Sequence, residues 1–261
     1  MKIILKVLLR AFSRVGRPYL KTFGLLQTSK VFNRSSLVWD PGSERVVVLA
    51  PHMDDEVIGC GGTLARHIKR GAEITVVFLT DGRSGGKVSG ELEIGSTRKD
   101  EARAALAALS IKRIVFLDAE DGALVATPSL ADKLRKILAE CRPEIVYLPF
   151  FLEEHPDHRA ATAVLAAAVT GTNLQFLCQG YEVWTPLFPN CFVRIDETIE
   201  DKKRSLSHYQ SQLAESNYLH TALGLNAFRS NAFLGGTCQF AEAFCMLPLA
   251  EYLNMFKSYQ S

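Results

Sequence analysis

A doubly wound α/β fold, one mostly parallel sheet with helices on both faces, is the architecture that this 261-residue sequence predicts. Three observations carry it. Short apolar runs rich in β-branched residues recur without the polar alternation of a half-exposed strand, so each must be covered on both faces. Ala- and Leu-rich stretches of helical length separate them. No internal repeat or low-complexity linker divides the chain beyond residue 34, so the alternation belongs to one Rossmann-like domain over residues 35–261. With 48% hydrophobic and 22% charged residues the chain can bury a substantial core, which excludes a disordered protein or a disulfide miniprotein.

The first strand is RVVVLA at 45–50, followed by a helical stretch at 57–70. EITVVFLT at 73–80 gives the second strand, and a helix opens at Arg98 and runs to 109. RIVFL at 113–117, a helix at 129–141, EIVYLP at 144–149 and a helix at 157–169 complete four strand-helix units. Right-handed crossovers join such units into a parallel sheet. From Gly180 onward a strand at YEVW (181–184), a charged helix around 200–212 and a Gly- and Phe-containing tail finish the same domain. The six cysteines are scattered and form no C-x-x-C pair, which predicts free thiols in a reducing, cytoplasmic setting.

Sites in open α/β sheets form where strands end at their carboxyl side. Two such junctions are dense in metal-competent residues. The first runs Pro51, His52, Met53, Asp54, Asp55, Glu56, then Gly59, Cys60, Gly61 and Gly62; the second runs His155, Pro156, Asp157, His158, Arg159. Either alone fits an acidic helix start, with Asp157 as the cap of the last of these helices. Together, at the ends of two strands that would be neighbours, they predict one site. An imidazole and a carboxylate three residues apart can share a cation with His158 or His155, and three adjacent acids repel one another unless a positive charge offsets them. Two His and one carboxylate leave coordination positions open, as in a catalytic zinc rather than a structural one, and other divalent ions fit by the same logic. A remaining carboxylate can serve as general base toward a metal-bound water, whose pKa falls to about 7. The constellation predicts metal-assisted hydrolysis. Cys60 reads as a small packing residue, His67 and His220 as surface or boundary residues, and the glycines at 59–62 as too weak a signal for a nucleotide loop.

PHMDDEVIGCGGTLA at 51–65, VFLTDG at 77–82 and HPDHRA at 155–160 resemble the LmbE and PIG-L superfamily of zinc-dependent N-deacetylases. The resemblance extends to Arg98 and Glu101, to Tyr181-Glu182-Val183-Trp184, to the stretch at 203–212 and to Ala241-Glu242-Ala243-Phe244, and so covers residues 45–245. It implies that His52, Asp55 and His158 ligate Zn2+ and that Asp54 is the general base. His155 would stand beside the developing oxyanion, steadying it or protonating the leaving amine, and Arg98 would contact a sugar hydroxyl or phosphate. The implied reaction removes the acetyl group from an N-acetylated amino sugar, an N-acetylglucosamine-type unit in a glycoconjugate or glycolipid precursor. Two alternatives stay open: hydrolysis of another amide conjugate or of a phosphoester, and a non-catalytic membrane-surface adaptor with the same fold. Members often carry Pro where this chain has Met53, a departure that would alter rigidity rather than chemistry.

Residues 1–34 lie outside the resemblance and differ in charge, with eight Lys or Arg and no Asp or Glu, whereas the other 227 residues hold 22 basic and 28 acidic side chains. Lys2, Lys6, Arg10, Arg14, Arg17 and Lys21 gather on one side of a helical wheel, opposite Ile4, Leu5, Leu8, Phe12 and Val15. Lys6 and Arg10 cut the apolar runs far below the roughly 7–15 residues of a signal peptide or the about 20 of a spanning helix. Three readings fit: an in-plane helix at residues 1–21 on the inner face of a membrane, a helix docked on this protein or a second subunit, and a disordered leader. Nucleic acid has no support beyond charge. Liposome co-sedimentation separates the readings. On the membrane reading the full chain pellets with anionic vesicles and a chain lacking residues 1–34 does not; equal pelleting of the two rules it out.

Overall fold

The computed structural model describes residues 37–84 and 91–260; the basic arm at 1–34 lies outside the described residues. In chain order the elements are β1 (Leu37–Val38), β2 (Arg45–Ala50), α1 (Asp55–Lys69), β3 (Glu73–Thr80), α2 (Glu91–Ala108), β4 (Arg113–Ala119), α3 (Pro128–Cys141), β5 (Ile145–Pro149) and α4 (Pro156–Val169). They continue with β6 (Leu177–Tyr181), β7 (Cys191–Arg194), α5 (Ile199–Leu206), α6 (Gln210–Leu213), α7 (Tyr218–Leu234), β8 (Ala241–Pro248) and α8 (Leu249–Gln260). The strands form a single sheet in the order β1-β7-β8-β6-β5-β2-β3-β4. β8 runs antiparallel to both of its neighbours, and every other pairing is parallel.

Alternate residues of β2 feed two cores. Val46, Val48 and Ala50 join the layer containing Val57, Leu64 and Leu106, whereas Val47 and Leu49 join the layer containing Leu134, Leu165 and Tyr252. That two-sided burial is why the strand reads as an unbroken apolar run. Pairing of β2 with β3 on one side and β5 on the other puts the reversal of strand order between β2 and β5. Crevices that bind ligands form outside the carboxyl ends of such a pair. Both histidine junctions start there.

Several elements differ from the sequence reading. The strand expected at YEVW lies earlier, at Leu177–Tyr181, and includes Gly180, where a Cβ would stand 2.9 Å from the Phe150 ring. The charged helix is two pieces, α5 and α6, and Arg98 sits inside α2 rather than at its start. β8 stands where the sequence predicts an irregular tail, because Glu242 interrupts its apolar pattern. His67 is fully buried, not at a boundary: its Nδ1 lies 2.9 Å from the Gly42 carbonyl and its Nε2 3.0 Å from the Tyr147 hydroxyl. The segment around Trp39 and Gly42 covers the outer side of α1, and the burial it causes holds the imidazole below its ordinary pKa. Among the described residues no helix is long and apolar enough to cross a membrane, and all six cysteines are free.

α1 bends sharply at Cys60, whose φ of −144° and ψ of 16° are not helical. The bend lets two glycines pass close to the sheet side. A Cβ at Gly59 would stand 2.2 Å from the Tyr181 ring, and one at Gly62 2.8 Å from Ile195. A break in a helix frees backbone groups that burial makes costly. Here one ion pair takes them. Glu242 accepts from the Gly62 and Thr63 amides at 2.9 and 2.7 Å, and Lys202 donates to the Ile58 carbonyl at 2.8 Å. The two side chains meet at 2.6 Å with no solvent exposure, and Asn226 Oδ1 accepts a further Lys202 hydrogen bond at 3.0 Å. Removing one partner leaves the other charge buried and unpaired, at a cost of about 3–5 kcal/mol. Lys202→Met is therefore expected to lower the unfolding free energy by about that amount in a urea titration, and Lys202→Met with Glu242→Gln to recover part of it. A single-variant loss within about 0.5 kcal/mol, as for an ordinary surface change, would contradict this account.

Candidate metal and catalytic centre

The chain leaves β2 through Pro51 and turns into α1 at Asp54, which adopts a φ of 134°. A positive φ is costly for a residue with a Cβ, by about 1–3 kcal/mol. The surrounding hydrogen bonds hold the turn: His52 N donates to Asp55 Oδ2 at 2.8 Å, Asp54 N to Glu56 Oε2 at 3.1 Å, and Val57 N and Ile58 N to the Asp54 carbonyl. On the neighbouring strand, His155 caps α4, its Nδ1 accepting from Asp157 N at 3.2 Å, and Pro156 takes the first helical position. Asp157 is therefore not the cap that the sequence suggested. Its carboxylate is buried and turned inward, accepting from the Gly122 and Leu124 amides at 2.7 and 3.0 Å.

These turns bring His52, Asp55 and His158 together. His52 Nδ1 lies 3.2 Å from His158 Nε2 and 3.3 Å from Asp55 Oδ2, and His158 Nε2 lies 3.2 Å from Asp55 Oδ2. Ligands about 2.0–2.1 Å from a tetrahedral ion stand roughly 3.3–3.4 Å apart, so the triangle has the dimensions of one face of such a site. The opposite nitrogen of His52 is held separately: Nε2 is 3.1 Å from Asp121 and 3.1 Å from Asp157. With a cation at the triangle, those two carboxylates would take the ring proton at Nε2 and leave the Nδ1 lone pair to the ion, the usual outer support of a metal-bound imidazole. The second side of His158 faces Glu153, whose Oε2 is 3.8 Å from Nδ1. Two residue groups, His52 with His155 and His158, and His52 with Asp121 and Asp157, each place ligand atoms within 4.8 Å of one another.

The electrostatics favour a cation. Burial alone would lower the His158 pKa, yet the Asp55 carboxylate lifts it to about 9. His52 is likewise raised against its burial, by Asp121, Asp157 and Asp55. Carboxylates that would hold a proton on both imidazoles also favour a divalent cation in its place. The donor set thus fits a metal. Asp54 lies buried beside it, and burial together with Asp55 and Glu56 pushes its carboxyl well above the usual range, a tendency that a cation at the triangle would oppose. His155 stands at the rim, with its ring 4.7 Å from that of His52 and 5.0 Å from that of His158. Burial and those two neighbours keep it below its ordinary pKa.

Arg98 is buried, donating to the Gly82 carbonyl at 3.1 Å and standing 3.7 Å from Asp121 Oδ2, so it reaches His52 through one carboxylate. Among the described residues, its Nε is buried without a hydrogen-bond partner. Met53 is also buried, and a Cβ at Gly82 would stand 2.9 Å from its sulfur, so this side chain supports the turn that receives Arg98. Sequence reasoning missed Asp121 and Glu153. The first carried a signal, an Asp-Gly pair one residue beyond the carboxyl end of β4, at the same sheet edge as the two histidine junctions. The second had none, because its partners are the amides of Val183, Trp184 and Thr185, far away in the chain.

Residues 47–169 match the PIG-L family, described as GlcNAc-PI de-N-acetylase. The chain is 31% identical over 191 residues to the diacetylchitobiose deacetylase of Thermococcus kodakarensis, covering 66% of this chain and 71% of that protein. It is 32% identical over 176 residues to the 1D-myo-inositol 2-acetamido-2-deoxy-alpha-D-glucopyranoside deacetylase of Rhodococcus erythropolis, covering 56% of this chain and 60% of that one. The crystal structure of N,N'-diacetylchitobiose deacetylase from Pyrococcus horikoshii shares the fold, with a TM-score of 0.71 at 23% identity over 90% of this chain and 94% of that chain. With both histidine junctions inside the matched stretch and most of a deacetylase aligned beyond it, the chain belongs to the PIG-L (LmbE-like) family.

Proposed function

We propose that this protein is a zinc-dependent deacetylase that removes the acetyl group from an N-acetylglucosamine-type amino sugar. The observation that carries the reading is the triangle of His52, Asp55 and His158 with sides of 3.2–3.3 Å, beside a buried carboxylate that none of the three needs. The names of the relatives, deacetylases acting on diacetylchitobiose and on an acetamido-glucosyl inositol, support the substrate class. The free cysteines suit a reducing compartment, and we place the enzyme in the cytoplasm.

His52, Asp55 and His158 would hold the zinc, which when bound supplies Lewis acidity for the amide carbonyl and lowers the pKa of water. Asp54, buried beside the triangle and not one of its three donors, accepts the proton of the attacking water. His155, its ring 4.7 Å from that of His52 and 5.0 Å from that of His158, would steady the carbonyl oxygen or pass a proton to the departing nitrogen. The amide C–N bond breaks, acetate leaves, and the sugar keeps a free amine. Asp121 and Asp157, each 3.1 Å from His52 Nε2, hold that imidazole in the tautomer this needs. Arg98 and Asp121, side by side at one edge, offer a donor and an acceptor to sugar hydroxyls.

Asp54→Asn should keep metal content near wild type and lower kcat for acetate release by about 10²–10⁴. His158→Ala should lower both metal content and turnover. Metal analysis of the purified variants, with acetate release from N-acetyl sugars, checks both; near wild-type turnover in Asp54→Asn would refute the mechanism. Chelation followed by return of Zn2+ or another divalent ion should restore activity to the wild type and fail to restore it to His158→Ala.

A further inference from the structure

Tyr209 is fully buried in the short connector between α5 and α6, and neighbouring residues fix that connector from two sides. On α5, Lys202 donates to the Ile58 carbonyl of α1 at 2.8 Å, and the Ser205 hydroxyl donates to the Ala105 carbonyl of α2 at 2.8 Å. In α6, Ser211 donates through its amide and its hydroxyl to the two carboxylate oxygens of Glu101, at 2.8 and 2.6 Å. Glu101 lies one helical turn beyond Arg98 on α2. The connector backbone closes on itself, with Tyr209 N donating to the Leu206 carbonyl at 3.1 Å and Leu213 N to the Tyr209 carbonyl at 2.9 Å. The phenol is thus carried on a frame bound to both α1 and α2.

From this frame the Tyr209 hydroxyl donates to Glu56 Oε1, and the second oxygen of the same buried carboxylate accepts from Asp54 N at 3.1 Å. A buried acceptor is costly to leave without a donor. With the phenol hydroxyl gone, Glu56 gains by turning Oε1 toward another donor, and because the carboxylate is planar the same turn carries Oε2 away from the Asp54 amide. Asp54 holds a φ of 134°, a conformation that persists in a residue with a Cβ only where its surroundings over-determine it. The remote tyrosine therefore bears on the most strained backbone position of the turn.

We propose that Tyr209 is a positioning residue for proton transfer: acting through Glu56, its hydroxyl fixes the backbone at Asp54 so that the Asp54 carboxylate stays aimed at the attacking water. The proposal rests on the reading of Asp54 as the base of a deacetylase. The metal triangle has its own local support, since Asp55 Oδ2 accepts from His52 N at 2.8 Å, so the zinc site does not depend on the phenol. Placement of the base counts in the transition state and not in the resting complex with substrate, so its loss falls on kcat rather than on KM.

Steady-state kinetics of the zinc-loaded full chain on N,N'-diacetylchitobiose test this in two variants. Tyr209→Phe keeps the ring and removes the hydroxyl; Tyr147→Phe is the control, removing another buried phenol hydroxyl, the one 3.0 Å from His67 Nε2. Tyr209→Phe should lower kcat about 10- to 100-fold with KM and zinc content near wild type, and Tyr147→Phe should leave kcat within about twofold. A kcat within about twofold of wild type in Tyr209→Phe, a loss carried by KM or by missing zinc, or an equal fall in both variants would overturn the proposal. A crystal structure of Tyr209→Phe reads the same claim without turnover. The Asp54 amide should have left Glu56 and the Asp54 φ should have moved; an unchanged turn would overturn the proposal. A wild-type chain that releases no acetate from N-acetyl sugars would instead defeat the deacetylase reading, and the crystal structure would still decide whether the phenol fixes the turn.

Discussion

The Lys202–Glu242 pair is the interaction on which the site depends, although neither residue touches it. α1 has two incompatible duties: it must begin at Asp55, where the chain leaves β2, and its later turns must slide under Tyr181 and Ile195. A straight helix of ordinary residues would collide with both, so the helix carries glycines and breaks at Cys60. The freed Gly62 and Thr63 amides and the Ile58 carbonyl then lie in a core without water, where unmet polar groups cost more than a missing methyl group. One anion and one cation answer the two polarities of the break, and each satisfies the other. Because Glu242 comes from β8 and Lys202 from α5, the repair also fastens the antiparallel strand and its neighbouring helix to the element that begins with Asp55.

A second constraint is charge. Asp54, Asp55, Asp121 and Asp157 crowd around His52, and Glu153 backs His158, so the carboxyl end of the sheet concentrates acid in a body that is itself net acidic outside the first 34 residues. Without a cation the two imidazoles compensate by retaining protons, the direction in which both are shifted. A divalent ion bound there would displace those protons and satisfy the same carboxylates. The arrangement is therefore specific to the sign of its guest, while the triangle of three donor atoms sets its size.

How much of this the sequence disclosed follows from the range of the interactions involved. β2, β3 and β5 were legible because strands covered on both faces leave continuous apolar runs, and the two histidine junctions were legible because each is a local cluster at a strand end. Neighbouring strands then made it possible to join them. What stayed hidden depends on contacts remote in the chain: the role of Glu242, which spoils the pattern of its own strand; the burial of His67, covered by residues around Gly42; Asp157, which resembles a cap until the Gly122 and Leu124 amides claim it. Arg98 was foreseen at a helix start and is instead buried within α2, where its contact with Asp121 ties it to His52. Periodicity reports which face is covered, and has no information on which distant group does the covering.

The backbone at Asp54 shows why two consecutive acids can serve one centre. Neighbouring side chains in a strand point to opposite faces, and in a helix they diverge by about 100°, so neither regular geometry would aim Asp54 and Asp55 into the same small volume. A positive φ at the junction between β2 and α1 reverses the chain locally and allows it. Such a conformation is unfavourable for an aspartate, and a glycine would adopt it readily but bring no carboxylate. The cost is offset by hydrogen bonds confined to the turn itself: Asp55 holds the His52 amide, and Glu56 holds the Asp54 amide while accepting from the Tyr209 hydroxyl. Asp55 thus fixes the backbone of His52, the side chain it meets in the triangle. Strain in the backbone and preorganisation of the donors are one feature, located where β2 ends at the reversal of strand order.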